Sequence, residues 1–291
     1  MFRTRGLDKL KDTILFGDCR KTISTITEPV KMCVTSPPYY GLRDYGGEEN
    51  QIGMEESPEK YVEQLVDVFR SVREVLTDDG TLWLNIGDSY YNYRSDGNYP
   101  KQTVSKTNQD LPSFSPVRGN KLEGYKSKDL IGIPWLLAFA LRKDGWYLRQ
   151  DIIWNKPNPM PESVRDRCTK SHEYIFLFSK SKNYYFDVDA IKESTIDGKG
   201  LKRKKSVWTV NTKPYKGAHF ATFPPELIEP CIMAGSQKGD IILDPFMGSG
   251  TTGMVSKSLG RYYIGCELHE SYNDLIQNRV SQYTINLEDF V

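Results

Sequence analysis

The run IILDPFMGSGTTG at 241–253 constrains this chain more than any other stretch. Its apolar start reads as a buried strand ending at Asp244, and Gly248, Gly250 and Gly253 satisfy G-x-G-x-x-G ahead of a helical segment at 251–259. Glycines in such a turn let the backbone bend sharply and approach a ligand closely. Glu267 closes the next predicted strand, 261–267, where a carboxylate can grip ribose hydroxyls. A phosphate loop of the Walker type would need Lys before Ser or Thr, and none is there, which disfavours a nucleoside triphosphate. NAD competes on the glycines alone, but a dinucleotide fold carries this fingerprint on its first strand. Only 38 residues follow Gly253. Either the cluster is an ordinary strand–turn–helix, or the sheet is permuted and its remaining strands lie upstream.

The upstream pattern can supply them. Apolar runs at 13–19, 30–35, 81–86, 146–154 and 174–179 read as strands, joined later by 240–244 and 261–267. Helices are expected at 20–26, from Ser57 or Pro58 to 76, at 129–142, from Pro224 or Pro225 to 234, at 251–259 and at 270–282. Strands alternating with helices at this spacing indicate an α/β fold with a mostly parallel sheet covered on both faces. Residues 91–128 are polar and lack periodicity, and a second irregular stretch contains Lys202, Arg203, Lys204 and Lys205. No internal repeat is present.

A second chemical signal stands at the end of the 30–35 strand. In Ser36-Pro37-Pro38-Tyr39 two adjacent prolines cannot continue a central ladder, so the chain leaves the sheet where open parallel sheets bind ligands. The prolines fix the backbone, so the Ser36 hydroxyl and the Pro37 carbonyl become positioned acceptors, and Tyr39 offers a flat face. Such a group suits a planar ring bearing an exocyclic amine. On its own it could equally be a proline-rich turn.

Other classes are excluded by what is missing. The longest apolar runs fall short of a membrane span, and the charged start MFRTRGLDKLKD is unlike an export signal. Five cysteines stand singly without C-x-x-C spacing and only three histidines are present, so the expectation is a reduced, cytoplasmic, metal-free protein. The net charge of +1 hides an asymmetry: residues 43–80 carry 4 basic and 11 acidic side chains, and residues 197–217 carry 7 basic and 1 acidic. One face is thus suited to a polyanion.

Together these motifs resemble the two signatures of amino-group DNA methyltransferases that use S-adenosylmethionine. The catalytic motif precedes the cofactor motif, as in the permuted β class of that group. FGDC at 16–19, residues 80–90, WNKPNP at 154–159, SHEYIF at 171–176 and HFATFPPE at 219–226 also resemble family motifs, so the likeness runs from about residue 14 to 280. It implies a Rossmann-like methyltransferase fold, circularly permuted, with a small target-recognition insertion. The implied partition is a catalytic half at 1–90, a polar insertion or loop at 91–128, remaining catalytic-half strands at 129–190, a target-recognition region at 191–217 and a cofactor-binding half at 218–291.

The resemblance also implies roles. Phe246, Gly248, Ser249 and Gly250 wall the cofactor, with Thr251 near its methionine end and Phe220 and Thr222 helping to hold that end. Glu267 takes the ribose, Asp18 the adenine amine, and Asp244 orients the glycine turn. Ser36, Pro37, Pro38 and Tyr39 hold the target base, which must leave the duplex to be reached. Acceptors at Ser36 and Pro37 draw the amine hydrogens out of plane and return density to nitrogen. No cysteine nucleophile is needed, and Cys33 reads as core.

Serine at the head of the motif usually accompanies cytosine N4 in this family, and aspartate adenine N6, which makes N4 the expected target and N6 the alternative. Double-stranded DNA would be met by Arg43, Lys156, Arg165, Arg167, Lys202, Arg203, Lys204, Lys205 and Lys213, with Trp208 and Tyr215 interleaved; such contacts set affinity, not sequence. His172 and Glu173 read as structural. A paired restriction endonuclease and a homodimer are partners the resemblance leaves open. A catalytically dead DNA-binding relative conflicts with two intact motifs. An RNA or protein amide methyltransferase would carry Asn at position 36 and its cofactor motif first.

Overall fold

In the computed structural model, which describes residues 10–41, 51–91, 121–195, 197–213 and 223–281, strand β1 (Thr13–Phe16), helix α1 (Cys19–Thr22) and strand β2 (Val30–Thr35) come first. Helix α2 (Pro58–Val75) leads into β3 (Leu76–Ile86), and α3 (Ile133–Lys143) into β4 (Tyr147–Asn155) and β5 (His172–Ser179). Short strands β6 (Glu193–Ser194), β7 (Leu201–Lys202) and β8 (Val207–Thr209) precede α4 (Pro225–Gly235). The chain then runs β9 (Ile241–Asp244), α5 (Thr251–Ser258), β10 (Tyr262–Glu267) and α6 (Asn273–Ser281).

Local chemistry sets these boundaries. Ser57 caps α2 by accepting from the Lys60 N–H at 3.3 Å, and Pro58 occupies the first turn, where its missing N–H costs nothing. Tyr61, Leu65, Val68, Phe69 and Val72 then fall on one buried face. Helix α3 is started from a distance: Asp88, just past β3, accepts the N–H groups of Gly132 at 2.9 Å and Ile133 at 3.0 Å with one carboxylate oxygen.

Eight strands form one sheet in the order β1-β10-β9-β2-β3-β5-β4-β8. Every neighbouring pair is parallel except the two made by β5, which runs against β3 and β4. The late strands β9 and β10 lie between the early strands β1 and β2, so the sheet is permuted relative to the chain. From β9 the chain moves outward to β10 on one side; from β2 it moves to β3 on the other. The winding therefore reverses between β9 and β2, and a crevice opens beyond the carboxyl ends of those two strands.

The pleat distributes the core to both faces. Leu82, Leu84 and Ile86 of β3 pack with the buried stripes of α2 and α3, while Trp83 faces Leu227, Ile228, Cys231 and Ile232 of α4. No helix among the described residues is long and apolar enough to cross a membrane.

Two differences from expectation bear on the core. Strand β3 starts at Leu76 rather than at 81, because Leu76 already pairs with Val30 before the register slips to Met32 and Thr81. The intervening turn is tight: a Cβ on Gly80 would lie 2.9 Å from the Thr77 carbonyl oxygen. The second difference is β8, in a stretch expected to be irregular. It pairs with β4, bringing Trp208 opposite Trp154. Trp208 is 5% exposed, packs in the core on the α4 side and donates its Nε1–H to the Lys205 carbonyl at 2.7 Å. It is a core residue, not a surface aromatic interleaved with lysines.

Burial of that size makes Trp208 part of the stability of the fold. Trp208→Ala should lower unfolding free energy by about 3 kcal/mol, read by denaturant melts. A change under about 0.5 kcal/mol, typical of an exposed side chain, would contradict the placement.

Candidate active site

The crevice between β9 and β2 is organised by one carboxylate. Asp244, the last residue of β9, is buried and accepts three hydrogen bonds: from the Thr35 hydroxyl at 2.6 Å, from the Thr252 hydroxyl at 2.6 Å and from the Phe246 N–H at 3.0 Å. Burial pushes its carboxyl above the usual range, and the two hydroxyls and the amide oppose that shift. Thr35 ends β2 immediately before Ser36, and Thr252 lies in the first turn of α5. The motif at 36–39 and the glycine turn, remote in sequence, thus share one buried acceptor.

The glycines have distinct reasons to be glycine. Gly248 (φ 54°) and Gly250 (φ 85°) adopt left-handed backbone. At Gly253 the constraint is space: a Cβ would stand 2.7 Å from Met247 Cε. Ser249 is buried and bonded by Arg279 of α6, and Phe246 is half-buried against the α2-side core. The Thr251 hydroxyl oxygen is buried with no hydrogen-bond partner among the described residues. Such a group calls for a ligand or solvent partner.

Glu267, at the end of β10, faces the same turn. It accepts from the Gly248 N–H at 2.9 Å and the His269 N–H at 3.1 Å, one to each oxygen, leaving both oxygens with acceptor capacity. Burial raises its pKa to about 7 against those two bonds. A buried carboxylate that still has acceptor capacity fits the vicinal hydroxyls of a ribose. Asp18 follows β1, whose Phe16 pairs with Glu267. Most of its capacity is used by Arg20, which donates its backbone N–H at 3.0 Å and its guanidinium at 2.7–3.1 Å. Burial would raise the Asp18 carboxyl, but these bonds and the Arg20 charge hold it below the usual range.

At the other motif, Pro37 is buried and Ser36, Pro38 and Tyr39 are half-buried. The Tyr61 hydroxyl donates to the Pro38 carbonyl at 2.7 Å, fixing the turn from α2. The Tyr39 phenol donates to Glu173 Oε2 at 2.8 Å. Glu173, near the start of β5, is also ion-paired with Lys156 just past β4 and receives the Asn85 amide at 3.3 Å. Gly87 forms the floor: a Cβ there would lie 2.7 Å from Cε2 of Tyr39. Burial and the Glu173 charge push the Tyr39 phenol well above its usual range, so it stays a donor.

The basic side chains are dispersed, and many are paired. Lys156 holds Glu173 rather than standing on open surface, with the Trp154 ring 4.2 Å from its Nζ. Arg167 pairs with Glu162 at 2.7 Å and lies over the Tyr90 ring. Lys202 is 3.6 Å from Glu193, Lys213 pairs with Glu226, and Lys204 sits over Trp208. Arg165, Arg203 and Lys205 are exposed and have no ion pair among the described residues. Arg43, Phe220, Thr222 and Tyr215, with most of the polar stretch 91–128, lie outside the described residues.

Glu173 is a satisfied polar group at a strand start, as read from the sequence, but no local pattern could have shown that it meets Tyr39, 134 positions away. Thr35 and Thr252 were within reach: each adjoins or sits inside a motif, but a threonine beside a motif carries no signal of its own. Among the described residues no cluster of three or more His, Cys, Asp or Glu could hold a metal ion.

Comparison with known proteins fits this geometry. Residues 30–278 match the family model for DNA methylase of the N6 and N4 amino type. The type II methyltransferase M.Cfr9I of Citrobacter freundii is 49% identical over 99% of this chain and 93% of its own length. The type II methyltransferase M.SmaI of Serratia marcescens is 52% identical, covering 92% of this chain and 90% of its own. Among solved structures, the PvuII DNA methyltransferase (cytosine-N4-specific) superposes with a TM-score of 0.65 at 17% identity, over 93% of this chain and 89% of that one. A putative DNA modification methylase from Thermus thermophilus, complexed with S-adenosyl-L-methionine, superposes with a TM-score of 0.63 at 23% identity, over 93% of each chain. This chain belongs to the N6/N4 family of DNA methylases.

Proposed function

We propose that this DNA methylase transfers a methyl group from S-adenosylmethionine to the exocyclic N4 of a cytosine flipped out of double-stranded DNA. The observation that carries the reading is the placement of Ser36 and Pro37 at the mouth of the switch-point crevice, tied through Thr35 and Asp244 to the glycine turn. Serine at the head of the motif supports cytosine N4 over adenine N6. When bound, the cofactor supplies an electrophilic methyl on a sulfonium.

The protein's own work is orientation and exclusion of water. Glu267 accepts the ribose hydroxyls, and the Thr251 hydroxyl is a polar partner for the methionine end. Asp18, held still by Arg20, would take the adenine amine with the capacity that Arg20 leaves. Phe246, Gly248, Ser249 and Gly250 wall the site, and Phe220 and Thr222 would complete it. On the DNA side, the Ser36 hydroxyl and the Pro37 carbonyl accept the target amine's hydrogens, drawing them from the ring plane so that lone-pair density returns to nitrogen. Tyr39, its ring backed by Gly87 and its phenol anchored on Glu173, stacks on the flipped base.

Arg165, Arg203 and Lys205 are the exposed cations best suited to phosphates, with Arg43 a further candidate. Lys202, Lys204 and Lys213 adjoin them, although Lys202 and Lys213 would first leave a carboxylate. The designation of the relatives as type II methyltransferases supports a restriction–modification setting with a cognate endonuclease.

Incubation with S-adenosylmethionine and unmethylated genomic DNA, followed by digestion and nucleoside mass spectrometry, should yield N4-methylcytosine. N6-methyladenine would instead assign the other amine, and unmodified nucleosides would defeat the reading. A second measurement isolates the cofactor side. Ribose hydroxyls need the ionised form of Glu267, so affinity for S-adenosylmethionine should rise between pH 6 and pH 8 and level off above the Glu267 pKa of about 7. Calorimetry near pH 7 should detect proton release on binding, and Glu267→Gln should abolish it. A pH-independent affinity in the unmodified protein would rule out this role.

A further inference from the structure

Drawing a base out of a duplex leaves a gap in the stack, which closes again unless something fills it. The residues assigned to the flipped base at 36–39 cannot also occupy the place it left. Another side chain can. Met160 is 85% exposed, the highest value of any large hydrophobic residue among the described residues. A lone exposed methionine would be ordinary. Its mounting and its place set this one apart.

Met160 stands between Pro159 and Pro161, with Pro157 two positions before, so three fixed φ angles stiffen the turn at 157–161. Asn158, between the first two prolines, is clamped to Thr212 by three hydrogen bonds. Its amide donates to the Thr212 carbonyl at 3.0 Å, its side-chain oxygen accepts the Thr212 N–H at 2.9 Å, and its carbonyl accepts the Thr212 hydroxyl at 3.1 Å. The returning half of the loop is tied as well. Arg167 pairs with Glu162 at 2.7 Å, and Lys170 donates to the Asp88 carbonyl at 2.8 Å. The loop is thus anchored on both sides, while its apolar tip stays in water.

The tip also stands on the right edge. Strand β4 runs against β5, β5 against β3, and β3 parallel to β2, so β4 and β2 point the same way. The turn after β4 therefore emerges on the edge that carries Ser36. Its first residue, Lys156, is ion-paired with Glu173, which receives the Tyr39 phenol at 2.8 Å. From Lys156 to Met160 the chain can span at most about 14 Å, comparable to the roughly 12 Å width of a major groove. Arg165, five positions on, is an exposed cation for the phosphates beside an opened base pair.

We infer that Met160 is a wedge that enters the base stack and fills the place vacated by the flipped base. Its side chain is slim and unbranched, and its thioether packs favourably against aromatic rings. It carries no strong hydrogen-bonding group, so it supports the opened duplex without reading sequence. Met160 acts on the duplex rather than on the reacting atoms and is a positioning residue. The inference rests on the amino-methyltransferase reading and holds for either amine.

The test begins by sequencing genomic DNA methylated by the full chain, which locates the target site. Two duplexes carrying that site are then compared, one fully paired and one with an abasic position opposite the target base. Single-turnover methyl transfer is followed for the unmodified protein, Met160→Ala and Met160→Leu. On the paired duplex Met160→Ala should be about 10-fold slower, and Met160→Leu should recover most of the rate. Opposite an abasic position the target has no partner to leave, and the three proteins should agree within about twofold. Thermal melting and affinity for S-adenosylmethionine should be unchanged in both variants, because the side chain is exposed. An unchanged Met160→Ala rate on the paired duplex overturns the wedge. So does an equal loss on both duplexes, which would put the side chain in DNA affinity or chemistry instead of base opening. A shifted oligomeric state with an unchanged rate would make the tip a protein contact and overturn it too. No transfer to any DNA by the unmodified protein would defeat the functional reading, and the wedge with it.

Discussion

A single buried carboxylate, that of Asp244, is the constraint on which the site depends. Two strand ends and one helix start converge on it, through Thr35 from β2, the Phe246 amide from the turn and Thr252 from α5. Each bond to an ionised group of this kind contributes roughly 1.5–3 kcal/mol, and leaving a buried donor unmet costs a similar amount. The arrangement therefore tolerates little change in the spacing of β9 and β2. That spacing matters because, in the proposed function, one strand ends in the segment that meets the base and the other in the segment that meets the cofactor.

The permuted sheet explains how so local a device can serve both substrates. Because β9 and β10 insert between β1 and β2, residues from the two ends of the chain become neighbours at the carboxyl edge. Asp18 follows β1, Ser36 follows β2, the glycine turn follows β9 and Glu267 ends β10. No loop has to reach far to assemble the site. The catalytic turn is further held from three directions, by Tyr61 beneath Pro38, by Gly87 against the Tyr39 ring and by Glu173 at its phenol.

Much of this was legible in the sequence, for identifiable reasons. The strands around the glycine turn and α2 announced themselves because their apolar periodicity is long and their caps are local, as with Ser57 and Pro58. Asp244 and Glu267 stood at strand ends inside a recognisable pattern. What stayed hidden is non-local. Strand β8 is three residues long and embedded among lysines, so its charge suggested an open basic segment, while its one inward residue, Trp208, is core. The partners that occupy Asp18, Ser249 and Lys156, namely Arg20, Arg279 and Glu173, follow from tertiary geometry. Arg20 was the nearest to view, two positions from the acid it engages.

The most direct test of this account uses Thr35→Val, which keeps side-chain shape and removes only the hydroxyl that bonds Asp244. The substitution lies on β2, the strand proposed to lead into the base-binding turn, so a binding measurement with S-adenosylmethionine in the absence of DNA reads whether Asp244 couples the two halves. Affinity should fall by about 3- to 10-fold in a folded variant, in keeping with the loss of one buried hydrogen bond to a charged group. An unchanged affinity would mean that the glycine turn holds its shape without β2, and the coupling through Asp244 would be wrong.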